Sequence, residues 1–377
     1  MPTPAGDRPD AGLLLIPGPV SLGAAVQAEL ERPTYPHYGT VWAEEYHRIA
    51  DSLALVFGTP SPATLLFGPG SAALEAAFGS ALAPADEILV LTNGHFGDRL
   101  YELAGAVGLT PLAAPRPPRG RPIDPAVVQK TLSARSTIRA VTVVQHETSL
   151  GLVNPIEDIA RVVRQHEALL ITDAVSSLGG MDLRMDEWGN DICVTVGNKC
   201  LGGPVGVAPI GIGERGARAI TEKAPGRGWY LNLANWRRFE SEWGTWHPHP
   251  TTMPANAIFA LGVAVDELLA EGLDTRFERV ARVAGACRDG LRQLGFEMLV
   301  EDDVASPVTT AVWVPAWMNV DHFIAWLLDC HRIRIAGGIG DLHSEVFRVG
   351  HMGAAATIQT VEMFLAATAE YTKLHRG

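Results

Sequence analysis

Lysine is almost absent from this chain. Of its 30 basic side chains only four are lysines, Lys130, Lys199, Lys223 and Lys373, so arginine carries the general surface role and a lysine in an apolar or Gly-rich setting needs a reason. Cysteine is scarce too. Cys193, Cys200, Cys287 and Cys330 form no C-x-x-C pair and no histidine joins them at metal spacing, which argues against a disulfide framework or a zinc site and for reduced thiols. No apolar run approaches the roughly 20 residues of a membrane helix. The longest one near the start, Leu13-Leu14-Leu15-Ile16, lacks a basic flank and stops at Pro17-Gly18-Pro19, so no signal peptide is expected. The final Leu374-His375-Arg376-Gly377 does not match the peroxisomal tripeptide, so peroxisomal targeting is not expected. Positive charge is outnumbered as well: the net charge of −12 repels phosphate backbones and argues against nucleic acid, although a buried pocket can still be locally positive. The expectation is a cytoplasmic protein with no membrane and no nucleic-acid partner.

What is present is ordinary globular material. The chain has 377 residues, 47% hydrophobic and 19% charged, enough for one large domain and a smaller one. Residues 1–12 read as a loose polar arm. From about residue 20, helical and strand patterns alternate. Trp42, Tyr46, Ile49, Leu53 and Phe57 have helical spacing over 41–57. Strand-like runs follow at Thr64–Phe67, Ile88–Leu91, Ile138–Val144, Leu169–Thr172 and Ile192–Val196, with helical stretches at 71–82, 97–107 and 156–167. Strands joined by helical crossovers predict an α/β fold, a mainly parallel sheet between helices. The Pro/Arg-rich stretch 111–123 reads as an exposed loop. Pro254 opens a long helix ending near Gly272, a second helix covers about 275–294, and a smaller α+β region follows. The expected division is an arm over 1–17, a large domain over 18–272 and a small one over 273–377.

In such sheets ligands bind at the carboxyl ends of the strands, so chemistry is sought at each strand exit. The first exit, Gly68-Pro69-Gly70-Ser71-Ala72-Ala73, is a glycine-rich turn opening a helix, whose free amides and positive dipole end suit a phosphate; an ordinary turn reads equally well from this motif alone. A dinucleotide site would need an acid at the end of the next strand. That strand ends in Thr92-Asn93-Gly94, with Asp86 and Glu87 at its wrong end, so a single-phosphate ligand ranks above an NAD-dependent dehydrogenase. Phe96 follows among small residues, placed to lie against a flat ligand or to pack in the core. In His146-Glu147-Thr148-Ser149 the hydroxyls of Thr148 and Ser149 suit a ligand oxygen or a turn. Asp173 ends an apolar strand, where a carboxylate needs a positive partner such as a protonated ring nitrogen, or serves as a helix cap. Gly197-Asn198-Lys199-Cys200-Leu201-Gly202-Gly203 sets a scarce lysine after a buried strand. Desolvation there lowers its pKa and makes it a nucleophile, against the usual fate of lysine in solvent. Arg348, on a short apolar strand, suits bidentate capture of a carboxylate or a structural ion pair. Jointly these are a phosphate cradle, a ring stacker, an acid for a ring nitrogen, a Schiff-base lysine and a carboxylate arginine, a set that points to pyridoxal 5′-phosphate (PLP).

The chain resembles class V, fold-type I, PLP-dependent aminotransferases of the alanine–glyoxylate and serine–glyoxylate branch. The resemblance runs from Pro17-Gly18-Pro19 to Arg348 and is carried by Asp173-Ala174-Val175-Ser176-Ser177-Leu178-Gly179-Gly180, Asn198-Lys199, Trp229-Tyr230-Leu231-Asn232 and Gly337-Gly338-Ile339-Gly340. It implies a seven-stranded-type sheet and transamination of a small amino acid of alanine or serine type with an oxo acid such as glyoxylate or pyruvate. It also implies site roles. Lys199 carries the cofactor as a Schiff base and Asp173 pairs with its ring nitrogen. Val175 packs on one ring face and Phe96, where many relatives have Trp, on the other. Thr148 reaches the ring hydroxyl. Gly70, Ser71 and Asn198 hold the phosphate, and Arg348 binds the substrate α-carboxylate. Thr252 matches a residue that reaches the phosphate from the neighbouring subunit, since the family is typically a homodimer with shared sites. His249, where several relatives have Tyr, stays outside the site.

A second resemblance, to pyridoxamine–pyruvate aminotransferases, rests on Asn198 to Gly202, on Arg348 to Gly353 and on Ser306-Pro307-Val308-Thr309-Thr310. That pattern has Glu where this chain has Pro69 and an extra Arg where it has Ile339. A PLP-dependent lyase of a specialised biosynthetic pathway and a catalytically silent binding protein remain as further readings. The aromatic segment Trp229–Trp246 either lines the pocket or packs at an interface.

Overall fold

In the computed structural model residues 12–222 and 228–376 are described, which leaves Lys223 and all but Gly12 of the expected loose arm outside the described residues. Seven strands build the main sheet: β1 Thr64–Phe67, β2 Glu87–Leu91, β3 Thr110–Ala113, β4 Ile138–Val144, β5 Leu169–Asp173, β6 Ile192–Val194 and β7 Val207–Ile212. Their order is β1-β7-β6-β5-β4-β2-β3. All neighbours are parallel except β7, which runs antiparallel to both β1 and β6. The central strands are apolar on both faces because helices cover both.

Helix α1 spans Thr40–Phe57, α2 Gly70–Ala81, α3 His95–Ala106, α4 Pro125–Ala134 and α5 Ile156–Arg164. Helix α6 covers Ala255–Glu271 and α7 Leu273–Gln293, hinged at Gly272, whose φ of 84° belongs to the left-handed side of the map. The expected helices thus form within a few residues of their anticipated ends. Trp42, Tyr46, Ile49, Leu53 and Phe57 of α1 are buried in the main core, as their spacing requires.

Two expectations are corrected. Thr110–Ala113, read as the start of an exposed loop, is a strand, and its Pro111 is tolerated because β3 lies at the sheet edge. The strand read as Ile192–Val196 stops at Val194. Its partner β7 pairs Ile210 with Val194, and the next β7 residue is Pro209, which has no N–H to continue the ladder. That proline, with Gly206 and Gly211, also hid β7 from the reading of the sequence.

Beyond α7 lies a three-stranded antiparallel sheet of β8 Thr309–Trp313, β9 Ala336–Gly337 and β10 Val346–Gly350, in the order β8-β10-β9. Phe296, Phe323, Phe347, Phe364 and Tyr371 pack a second core there. Leu15 joins this core, and Leu13–Leu14 pair in parallel with Ile333–Arg334, so the chain before Pro17 is tied to the C-terminal region.

Candidate active site

The exits of β1, β2, β4, β5 and β6 meet at one edge of the sheet around a cavity of about 540 Å³. Its walls include Gly70, Ser71, Phe96, Thr148, Asp173, Val175, Asn198 and Lys199, eight of the residues singled out from the sequence. Asp173 is the last residue of β5, in register with Val144 of β4 and Val194 of β6, so the pairing itself sets its carboxyl at the sheet edge.

Helix α2 begins at Gly70 after Pro69, and no side chain caps it. The amides of Ala72 and Ala73 bond the Pro69 carbonyl at 3.0 and 3.3 Å, and those of Gly70 and Ser71 remain for a ligand. A Cβ on Gly70 would stand 2.8 Å from Cγ2 of Val175 and 3.2 Å from Cγ1 of Val196, so only glycine lets helix and strand ends approach this closely. Phe96 sits in the first turn of α3, with the guanidinium carbon of Arg99 4.9 Å from its ring centre. The fully buried Glu147 holds that turn: its carboxylate accepts the amides of Phe96 (3.3 Å) and Gly97 (3.0 Å), and the amide (3.1 Å) and hydroxyl (2.5 Å) of Ser149. A buried carboxylate at a helix N-terminus is stabilised by amides and dipole together.

Asp173 is buried, and its Oδ1 accepts the amide of Val175 at 2.9 Å. Burial pushes its carboxyl up to about 6, with Glu147 adding to the rise and the Val175 amide, Arg99 and Lys199 opposing it. The Lys199 amine donates to the carbonyl of Pro17. Burial brings it down to about 8; Arg348 and Arg99 lower it further, while Cys200 and Asp173 oppose. A Cβ on Gly18 would lie 2.4 Å from Cδ of Lys199, so the backbone at Gly18 closes directly over the lysine.

Arg348, on β10, does not line this cavity. It reaches the rim through Thr148, whose carbonyl accepts from Nη1 at 3.1 Å, while Nε donates to Gly337 at 3.0 Å. Burial lowers its pKa to about 10, and the charge of Glu147 opposes the shift. Thr252 is exposed and lies outside the cavity wall. His249 turns into its own core: Nε2 accepts from Nε1 of Trp42 at 2.9 Å, and Nδ1 donates to the Thr251 carbonyl at 2.7 Å. Trp229, Trp243 and Trp246 are exposed and line none of the cavity, Trp243 and Trp246 stacking at 5.6 Å.

Arg99, Ser176 and Glu147 escaped the reading of the sequence. Arg99 lies one turn beyond Phe96, a helical spacing that places both on one face. Glu147 stood in the strand exit already singled out for Thr148; its pairing with α3, some 50 residues away, is purely tertiary.

The residues fit PLP. The unbonded amides of Gly70 and Ser71 suit a phosphate, Asp173 suits a protonated ring nitrogen, and the depressed lysine suits an aldehyde. Fold and site define a fold-type I, PLP-dependent enzyme. Residues 26–340 match the Aminotransferase class-V family model. An uncharacterized aminotransferase of Methanocaldococcus jannaschii is 33% identical, covering 94% of this chain and 92% of its own length. Pyridoxamine–pyruvate transaminase of Mesorhizobium japonicum is 32% identical over 96% of this chain and 91% of its own. The crystal structure of ureidoglycine–glyoxylate aminotransferase from Bacillus subtilis superposes with a TM-score of 0.93 at 28% identity, covering 98% of this chain and 95% of that one. The chain belongs to the class-V aminotransferase family and is a PLP-dependent aminotransferase.

Proposed function

We propose that this aminotransferase moves the amino group of a small amino acid, of alanine or serine type, to an oxo acid such as glyoxylate or pyruvate, with Lys199 holding the cofactor as a Schiff base. The observation that carries this reading is one cavity lined by the Lys199 amine, the Asp173 carboxyl and the Gly70–Ser71 helix start. The acceptors named for the Bacillus and Mesorhizobium relatives, glyoxylate and pyruvate, support the acceptor class.

The bound cofactor supplies an electron sink for the pair released when the substrate Cα–H bond breaks. The chain does the rest. Gly70, Ser71 and Asn198 hold the phosphate; Val175 and Phe96 confine the ring. Asp173 keeps a proton on the ring nitrogen, which its own buried charge requires as partner. Lys199, brought down to about 8, still carries its proton in most molecules at pH 7 but offers a far larger neutral fraction than an ordinary lysine, and the neutral amine takes and returns the α-proton at Nζ. Arg348, whose Nε and Nη1 donate to the carbonyls of Gly337 and Thr148 and whose charge is opposed only at a distance by Glu147, binds the substrate carboxylate.

Further parts belong to the same proposal: a homodimer in which Thr252 serves the partner's site, domains over 18–272 and 273–377 after an arm over 1–17, and a cytoplasmic location, which the unpaired cysteines support. The exposed Tyr35, Tyr38 and Val41 support a face covered by a second copy. The second reading, amino transfer from free pyridoxamine to pyruvate, has the Mesorhizobium identity in its favour and Pro69 and Ile339 against it.

Borohydride reduction followed by peptide mapping tests the core of the reading. The label is expected on Lys199, and a label on another lysine overturns it. Adding amino acids to the purified enzyme should bleach the visible cofactor band; bleaching by pyridoxamine alone would favour the second reading.

A further inference from the structure

Behind the cavity wall lies a hydrogen-bonded chain that the transamination reading leaves unused. His146, next to Glu147 on a two-residue strand, is completely buried. Its Nδ1 lies 3.2 Å from the carbonyl oxygen of Ser176 and 3.0 Å from the Ser176 hydroxyl. A carbonyl only accepts, so Nδ1 carries the hydrogen. Burial drives the ring's pKa down to about 3; the Ser176 carbonyl opposes this, while the nearby cations Lys199 and Arg348 add to it, so the imidazole is neutral and Nε2 is bare. Nε2 is buried and has no partner. The tautomer is therefore set by the Ser176 carbonyl, with Oγ1 of Thr148 standing a longer 3.5 Å from the same nitrogen.

The consequence runs outward. The Ser176 hydroxyl receives the Nδ1 hydrogen and keeps its own to give. Its acceptors are the His146 carbonyl at 3.2 Å and Oγ1 of Thr148 at 2.6 Å, a short contact across which either hydroxyl can donate. With Ser176 donating to Thr148, the Thr148 hydrogen has only the His146 carbonyl, a long 3.4 Å away, as an acceptor among the described residues, so a ligand oxygen in the cavity that Thr148 and Ser176 line competes for it. We propose that His146 is a positioning residue: through Ser176 it fixes the direction of this chain, so that Thr148 offers a hydrogen, and not a lone pair, to the ring oxygen of the cofactor. This rests on reading the cavity as the cofactor site. Lys199 and Arg348 are the charged groups acting on the ring of His146, and neither competes for Nδ1.

A donor to the ring oxygen stabilises its anion, so the lysine–cofactor linkage loses its proton at lower pH than it otherwise would. Titration of the visible band of the holoenzyme reads this directly. His146→Leu should move the transition upward by about one pH unit, the scale of one charge-assisted hydrogen bond. Ser176→Ala should move it equally, and the two together no further. His146→Asn, whose amide reaches the Nδ1 position, should restore the wild-type transition, which a merely space-filling role would not require. In the apoprotein, nitrogen-15 spectra of the histidine rings should show one ring protonated at Nδ1 alone that is lost in His146→Asn. A His146 ring protonated at Nε2, identified as the signal lost in His146→Asn, or Leu and Asn variants that titrate alike, would overturn the proposal. Failure of the cofactor reading shows separately, as wild-type enzyme without a visible band, and the nitrogen spectrum of the apoprotein still decides the direction of the chain.

Discussion

At the scale of single residues, the site is built from charges that burial has made uncomfortable. Lys199, brought down to about 8, is a nucleophile where an exposed lysine is an ammonium ion. Capture of pyridoxal phosphate by the apoenzyme should therefore accelerate through pH 8 and level off well below the ordinary lysine value. Stopped-flow absorbance measures this, and Lys199→Ala should show neither capture nor turnover. Asp173 pays the opposite penalty. Its folded pKa of about 6 lies above the ordinary carboxyl value, so its contribution to apoenzyme stability is whole below about pH 4 and is lost as pH rises through 6. Asp173→Asn should stabilise the apoenzyme above pH 6 by on the order of 2 kcal/mol, with no gain at pH 4, while abolishing transamination. Thermal melts of apoenzyme across that range provide the measurement.

Elements decide where those residues meet. The β4–β5–β6 register puts Asp173 at the sheet edge, and the bare start of α2 faces the same cavity. Here close approach is limiting. Gly70→Ala should destabilise the protein by about 1–3 kcal/mol through overpacking, because its methyl group meets Val175 and Val196 at 2.8 and 3.2 Å, and Val175→Ala in the same chain should recover part of the loss in urea unfolding. Glu147 ties the β4 exit to the first turn of α3 through two amides of that helix. Glu147→Gln removes the charge but not the acceptor, so it should cost about 1 kcal/mol, visible in the same experiment. Periodicity foretold α1, α2, α3 and α6 because each shows one apolar stripe to one core. It failed for β3 and β7, whose prolines and glycines are unfavourable taken alone and acceptable only at an edge or where a neighbouring strand has ended.

For the whole molecule the open question is one site or two shared ones. A dimer with Thr252 serving the partner makes a sharp prediction. Lys199→Ala chains are inactive and Thr252→Val chains weakened, yet a mixed dimer of the two regains one site with both native residues. Activity of the purified mixed dimer near half of wild type is expected, and activity no higher than half that of the Thr252→Val homodimer would place Thr252 within its own chain's economy. The residues of chemistry were legible in the linear chain because each follows an apolar strand and is the wrong type for that place: a lone lysine, an unpaired acid, a glycine-rich turn. Residue order by itself thus determined the α/β class, the cofactor chemistry and eight residues of the cavity wall. Only tertiary structure decided that Pro17 and Gly18 close over Lys199, that Arg348 stands behind Thr148, and that Glu147 and His146 support the wall from within. Those contacts join segments that lie from tens to about 200 residues apart, and a distance that local pattern does not encode is settled only when sheet, helices and the second core pack together.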